Sequence, residues 1–144
     1  DRLVFWQPVV SGNVYMTQFL RLKIAAQMMG AGAGLTTSSL RAEAEAGSAL
    51  EIAGYQLAPE LFGAVDRLDL RKVDVPADIQ VDWLEVASGE GANVPPLALR
   101  TAAQWREAGI PVNQELVPGE PFWATQEIAE APLLIDATVN RIAG

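Results

Sequence analysis

Two loop carboxylates are the side chains in this sequence best suited to chemistry. Glu90 stands in "ASGEGANVPP" and Glu120 in "VPGEPFW". A pair of carboxylates can divide acid and base work without a histidine, and can hold a hard cation. Single acidic residues in the polar loops of an acidic chain also read as solvated surface charge. The sequence contains no histidine. It therefore lacks the side chain whose pKa suits both removing a hydroxyl proton and returning it to a leaving group. Ser11 in "VVSGN" and Ser88 in "VASGEG" fall short of the G-x-S-x-G elbow that exposes a nucleophilic serine. With no base to activate them, both read as turn serines. Cysteine is absent too, so there is no thiolate nucleophile, thiolate metal ligand or disulfide. "GAGAG", residues 30–34, follows a helix rather than a strand. It has neither dinucleotide spacing nor the Lys and Ser/Thr of a P-loop, and reads as a flexible helix exit. No cofactor and no metal are expected.

The other candidates are aromatic. Of the four tryptophans, Trp83 and Trp105 fall on core-facing positions and read as packing. Trp6 ends an apolar run, and Phe122 with Trp123 sits in the turn after Glu120. Trp6, Ser11, Phe122 and Trp123 make up the candidate substrate pocket. Plain packing of the aromatic pair is the competing reading.

These side chains need elements to hold them. "RLVFW", residues 2–6, is a short apolar run of the kind a buried parallel strand shows. Residues 14–29 place Tyr15, Phe19, Leu22, Ala26 and Met29 at three- and four-residue steps, which predicts an amphipathic helix. Thr37 or Ser38 caps a short helix at 39–46. Residues 49–57 alternate weakly and predict a short strand or an extended link. Pro59 and Glu60 open a further helix with Leu61, Val65 and Leu68 on one face. The stretch 31–72 is thus a small, mostly helical excursion. A strand at 79–86, a helix at 97–109 closed by Gly109 and a strand at 110–117 come next. A terminal helix at 125–144, kinked or restarted at Pro132, completes the chain. If the strand at 79–86 is central, Asp82 or Glu85 is buried and paired; otherwise that strand end emerges into solvent. Strand and helix alternating at this spacing predict parallel β-α units. Three loops, "QPVVSGN", "ASGEGANVPP" and "VPGEPFW", then fall at the carboxyl ends of the strands, where ligands gather.

Composition narrows the partners. A chain of 144 residues, half of them apolar and 19% charged, can bury one core and is no disordered acidic chain. A net charge of −8, with ten Lys and Arg scattered, argues against nucleic acid and anionic membranes. No apolar run approaches the ~20 residues of a membrane span, and no signal peptide is visible. A cytoplasmic location is expected. The chain opens at Asp1 and enters "LVFW" at once, a start expected of a processed, truncated or excised chain.

Several stretches together resemble a known family. "LVFWQPVVSGNVYMTQFLRLKIAAQM", "LEIAGYQLAPEL", "DWLEV", "QWREAGIPV" and "VPGEPFWATQEIAEAPLL", in that order, resemble the exosortase A system-associated hydrolase 2 family. That family is a branch of the α/β-hydrolase fold, similar to serine aminopeptidases and lysophospholipases. "GYQLAPEL" and "GEPFWATQEI" carry most of the likeness. It spans nearly the whole chain but only the carboxyl-terminal half of the family's domain. It implies that "LVFW", "VDWLEV" and "VNQELV" are the sixth, seventh and eighth strands. It also implies that 31–72 is a lid or cap, and that the oxyanion loop and nucleophile elbow precede Asp1. The implied reaction is hydrolysis of an ester, amide or similar acyl bond. The implied setting is a bacterium that makes exopolysaccharide and sorts proteins by a carboxyl-terminal signal. The family's acid would fall in "SGEGANVPP", where Glu90 is the only carboxylate. Its histidine would fall in "GEPFW", where Glu120 to Trp123 stand instead. This chain departs from the family pattern at both positions.

The expectation is an α/β fold: a parallel sheet of about three strands flanked by helices, like the C-terminal half of an α/β-hydrolase. Residues 1–144 form one α/β domain or half-domain, with 31–72 a lid-like helical insertion. The parent protein would take a small-molecule or acyl substrate, and this chain alone would be inactive. Its first strand would be an unpaired edge with sticky faces beside it. It is therefore expected either to pair with another copy, as a homo-oligomer through residues 2–6, or to lack an amino-terminal half. Two other readings stand beside this one. One is a non-catalytic binding or assembly module derived from a hydrolase fold. The other is a small enzyme using Glu90 and Glu120 with a metal or water.

Overall fold

A parallel strand sits comfortably inside a sheet when apolar residues cover both its faces. "QVDWLEVA" comes close to that condition, and it forms the central strand of the computed structural model, which describes residues 1–28, 34–89, 91–124 and 129–143. The elements are β1 (Arg2–Trp6), α1 (Gly12–Met28), α2 (Thr37–Glu45), β2 (Leu50–Ile52), β3 (Tyr55–Leu57), α3 (Pro59–Asp66), β4 (Gln80–Ala87), α4 (Pro96–Glu107), β5 (Val112–Pro118) and α5 (Pro132–Ala143). The chain divides into two compact units, Ser11–Leu70 and Asp1–Val10 with Arg71–Gly144. Among the described residues no helix is long and apolar enough to cross a membrane.

The second of these units is an α/β layer structure. Its sheet is parallel, in the order β1-β4-β5. Val4 lies opposite Asp82, and Glu85 lies opposite Leu116. Every residue from Val81 to Val86 is buried. One face of the sheet carries Trp83, which packs edge-on against Phe5 and Trp105 with ring centroids 6.1 and 5.7 Å away. Trp105 belongs to α4, which buries Ala98, Thr101, Ala102 and Trp105 at helical spacing. Gly109, at φ 86°, closes that helix as the sequence predicts. Its N–H donates to the Arg106 carbonyl, and the Ile110 N–H donates to that of Trp105, both at 3.0 Å. These two bonds satisfy carbonyls that the helix end would otherwise orphan. On the opposite face Leu84, Val86 and Val117 pack with Leu134 of α5. The terminal helix begins at Pro132 rather than at 125. Pro132 thus opens the helix, where its missing N–H breaks no bond, and residues 129–131 are not helical. The predicted positions 125–128 lie outside the described residues.

The unit Ser11–Leu70 is built around a different core. Met16 and Leu20 of α1, Leu40 and Ala44 of α2, Leu50, Ile52, Leu57 and Phe62 bury together. The predicted face of α1 is rotated in the structure. Tyr15 and Leu22 are exposed, whereas Met16 and Leu20 are buried. Positions 14–16, 19–20 and 24–26 are nearly all apolar, so spacing alone admits two neighbouring stripes. Met29, and residues 30–33 of "GAGAG", lie outside the described residues. The cap of α2 is Thr36, one residue ahead of the predicted choices. Thr36 Oγ1 accepts the Ser39 N–H at 3.0 Å, and the Thr36 N–H donates to Ser39 Oγ at 3.0 Å. That reciprocal pair needs a side-chain acceptor three residues after the cap, a place Glu or Gln commonly fills and Ser39 fills here. Residues 49–57 form a hairpin, β2 against β3, across Ala53 and Gly54. Both turn residues have positive φ, 51° and 83°, the signature of a two-residue type I′ turn. The short strand expected at 49–57 is thus a pair of strands set between the helices α2 and α3. Gly12 starts α1 against the end of α3: a Cβ there would sit 1.8 Å from the Val65 carbonyl oxygen.

Candidate functional site

Chemistry in a parallel sheet collects where the strands end, and here three exits define the place. β1 ends in an unusual residue. Gln7 is not glycine yet has φ 44°. Its N–H donates to the Leu84 carbonyl at 2.8 Å, and its side-chain Oε1 accepts the Val86 N–H at 2.7 Å. The side chain stands in for a backbone acceptor and carries the ladder one step past the strand. A residue in this backbone region persists only when its surroundings over-determine it, and these two bonds do so. β4 and β5 are tied at their ends by the Gly119 N–H, which donates to the Ala87 carbonyl at 3.2 Å. Between those two exits lies an open cleft of about 530 Å³, lined by Ala87, Ser88, Gly91, Leu116, Gly119 and Glu120.

The candidate residues fall differently around these exits. Glu120 is exposed and lines the cleft. Glu90 lies outside the described residues. Ser11 belongs to the other unit. Its Oγ accepts the Val14 N–H at 3.3 Å, which caps α1 and makes it a helix-start serine. Ser88 is exposed on the cleft rim. Trp6, Phe122 and Trp123 come together. Trp6 and Phe122 meet edge to face at 6.3 Å, and Phe122 and Trp123 at 5.0 Å. Trp6 Nε1 donates to Thr138 Oγ1 at 2.8 Å, which fastens the end of β1 to α5. Trp6 is nevertheless 44% exposed and Trp123 49% exposed. The aromatic group is therefore half packing and half surface.

Two charged residues matter more than their sequence context suggests. β4 is central, and Asp82 and Glu85 are both buried on it, on opposite faces. Asp82 lies 3.3 Å from Arg2 Nε and 3.7 Å from an Arg141 nitrogen, and accepts Asn113 Nδ2 at 3.3 Å. Arg141 also donates to Glu115 at 2.6 Å. This is an ion network that clamps α5 to β4 and β5. Among the described residues no cation pairs with Glu85. Its Oε1 accepts Trp83 Nε1 at 2.6 Å. Burial pushes its carboxyl above the usual 4.5, and the Trp83 bond only partly opposes that. Glu85 lies one step beneath the cleft. Its register partner Leu116 lines the cleft, and so does Ala87, the next residue on the same face. The sequence signal for Glu85 was its place in an apolar strand, which flags a buried acid but not a role. Among the described residues no three acidic side chains gather as a metal-ligand set.

Among the described residues the arrangement offers a cleft with one exposed carboxylate, a rim serine and a neighbouring aromatic surface, and the chain has no histidine to shuttle a proton. No family model, no curated protein and no solved structure matches this chain.

Proposed function

We propose that the chain is the carboxyl-terminal portion of an α/β-hydrolase-like protein that acts on ester or acyl bonds, and that it is catalytically silent by itself. The observation that carries this reading is the character of β1. It is an edge strand, yet after Arg2 its residues Leu3 to Trp6 are apolar on both faces. It has none of the prolines, bulges or clustered charges with which sheets protect an edge. β5, the opposite edge, is preceded by Pro111, ends at Pro118 and carries Asn113 and Glu115. One edge is built to face solvent and the other is built like a sheet interior. A parallel sheet continuing beyond β1 would account for the difference, and the likeness carried by "GYQLAPEL" and "GEPFWATQEI" supports the hydrolase reading. That likeness also brings the exopolysaccharide and exosortase setting, and a cytoplasmic location, into the proposal. Silence follows from composition: nucleophilic acyl transfer needs an activated nucleophile, and the chain has no histidine and no G-x-S-x-G.

The test is turnover of a short chromogenic ester, 4-nitrophenyl butyrate, by the purified chain. The expected result is a rate equal to buffer. Turnover lost on Glu90→Gln or Glu120→Gln would replace this reading with a small two-carboxylate enzyme. The coding frame ahead of Asp1 separates the remaining rival. A G-x-S-x-G there supports a hydrolase parent, and its absence favours a binding module that keeps the cleft without the chemistry.

A further inference from the structure

We propose that the cleft at the ends of β4 and β5 binds a primary ammonium group, that of a small alkylamine, with Glu85 as its counter-ion. This site is independent of the hydrolase reading, since nothing in it calls for a reaction. Glu85 is 2% exposed, and a carboxylate so buried needs a positive partner to offset its lost hydration. The chain does not supply one. All ten of its Lys and Arg are among the described residues, and none pairs with Glu85. Asp82, on the other face of the same strand, has Arg2 at 3.3 Å and Arg141 at 3.7 Å. Glu85 therefore takes its partner from outside the chain. A proton alone can fill the place, and an ammonium group that enters displaces it. The cleft is the way in. Leu116, the register partner of Glu85, and Ala87, two residues on along the same face, both line it. Oε1 is held by Trp83 Nε1 at 2.6 Å, on the side away from the strand end. Among the described residues Oε2 accepts no bond, and it is not sealed from solvent. Neither cleft loop, "ASGEGANVPP" or "VPGEPFW", contains a Lys or Arg, and Glu120 adds an exposed carboxylate at the rim. Such a lining draws cations and repels anions. A bare metal ion needs several oxygen ligands, and no three acidic side chains gather among the described residues. An ammonium group donates its own hydrogen bonds, and one carboxylate is a strong acceptor for it. Ala87, Ala92, Leu116 and Pro118 give the alkyl part an apolar wall, and about 530 Å³ falls within the size of small-molecule sites.

The experiment titrates the full chain at pH 8 with n-butylammonium, butan-1-ol and tetramethylammonium, reading heat. Butylammonium should saturate. The alcohol, which lacks the charge, and tetramethylammonium, which has no N–H to donate, should not. Glu85→Gln keeps an acceptor for Trp83 Nε1 and should weaken butylammonium about tenfold or more, the scale of losing one partner of a buried charge pair. Glu120→Gln removes only a rim charge and should cost about twofold. Leu116→Lys sets the chain's own ammonium opposite Glu85. It should abolish butylammonium binding and raise the urea midpoint at pH 8, and the rise should vanish when Glu85→Gln is added. Equal binding of butan-1-ol or tetramethylammonium overturns the proposal. So does butylammonium binding that is absent, unchanged by Glu85→Gln or weakened more by Glu120→Gln. A Leu116→Lys effect on the midpoint that is the same with and without Glu85→Gln overturns it as well. No turnover is read, so failure here is separate from failure of the hydrolase assignment.

Discussion

Glu85 is the residue with the least comfortable surroundings in the sheet. It is 2% exposed and, among the described residues, has a tryptophan N–H but no cation for company. Ionising it there is costly, because a buried charge needs a partner to offset its lost hydration. Burial raises its pKa above the usual 4.5 in the folded chain. The folded state then holds a proton that the unfolded state releases first. The stability this contributes is complete below the unfolded value and disappears as pH rises through the raised folded value. Glu85→Gln keeps an acceptor for Trp83 Nε1 and removes the titration. Urea unfolding between pH 4 and pH 8 should show a flatter profile for the variant, with higher stability than the parent at pH 8. Parallel profiles would mean that Glu85 is solvated in a way its burial does not suggest. Asp82, three residues earlier, shows the contrast: Arg2, Arg141 and Asn113 supply what Glu85 lacks.

At the scale of elements, the hairpin holds a removable strain. Ala53 occupies φ 51°, a region that costs an L-residue with a Cβ about 1–2 kcal/mol. Asn tolerates that region and is favoured at the first position of a type I′ turn. Ala53→Asn should therefore stabilise the Ser11–Leu70 unit by about 1 kcal/mol, read as a rise in urea midpoint at unchanged slope. A fall would mean that the turn is held by contacts the alanine methyl makes. This turn also shows where the sequence was opaque. "IAGY" lacks the Asn-Gly or Asp-Gly pair that announces a hairpin, so 49–57 reads only as weakly alternating. α1 was opaque for the opposite reason: too many apolar positions, and only the partners in α2 and α3 select Met16 and Leu20. The cap at Thr36 depends on a reciprocal bond from Ser39, which a search for a single capping side chain passes over. By contrast, β1, β4, α4 and β5 were legible within about two residues, since apolar runs bounded by Pro and Gly have few alternatives. Of the candidate site, Trp6, Phe122 and Trp123 do meet, but their neighbours Gln7 and Thr138 could not be seen, because only the fold brings positions 6 and 138 together.

The molecule as a whole presents several large apolar side chains at its surface. Leu133, Ile135, Val139 and Ile142 are each at least half exposed on α5. β1 adds an open ladder of backbone N–H and C=O groups with Leu3 and Trp6 beside it. Open strand edges and apolar patches of this kind promote association. The chain on its own should therefore self-associate in the micromolar range, whether or not its natural partner is a second copy. The two sources can be separated. Leu3→Lys puts a charge on the edge strand without touching α5, and charged edges oppose strand-to-strand pairing. Ile142→Ser lowers the apolarity of α5 and leaves the edge alone. If the β1 edge is the interior-type surface proposed above, sedimentation velocity should show Leu3→Lys shifting the chain toward monomer, with Ile142→Ser having the smaller effect. A larger effect from Ile142→Ser would move the missing contact to the helix layer and remove the main support for a sheet continuing past β1. A parent chain that stays monomeric up to about a hundred micromolar would show that "RLVFW" can face solvent unaided, and the hydrolase-portion reading would lose its structural argument.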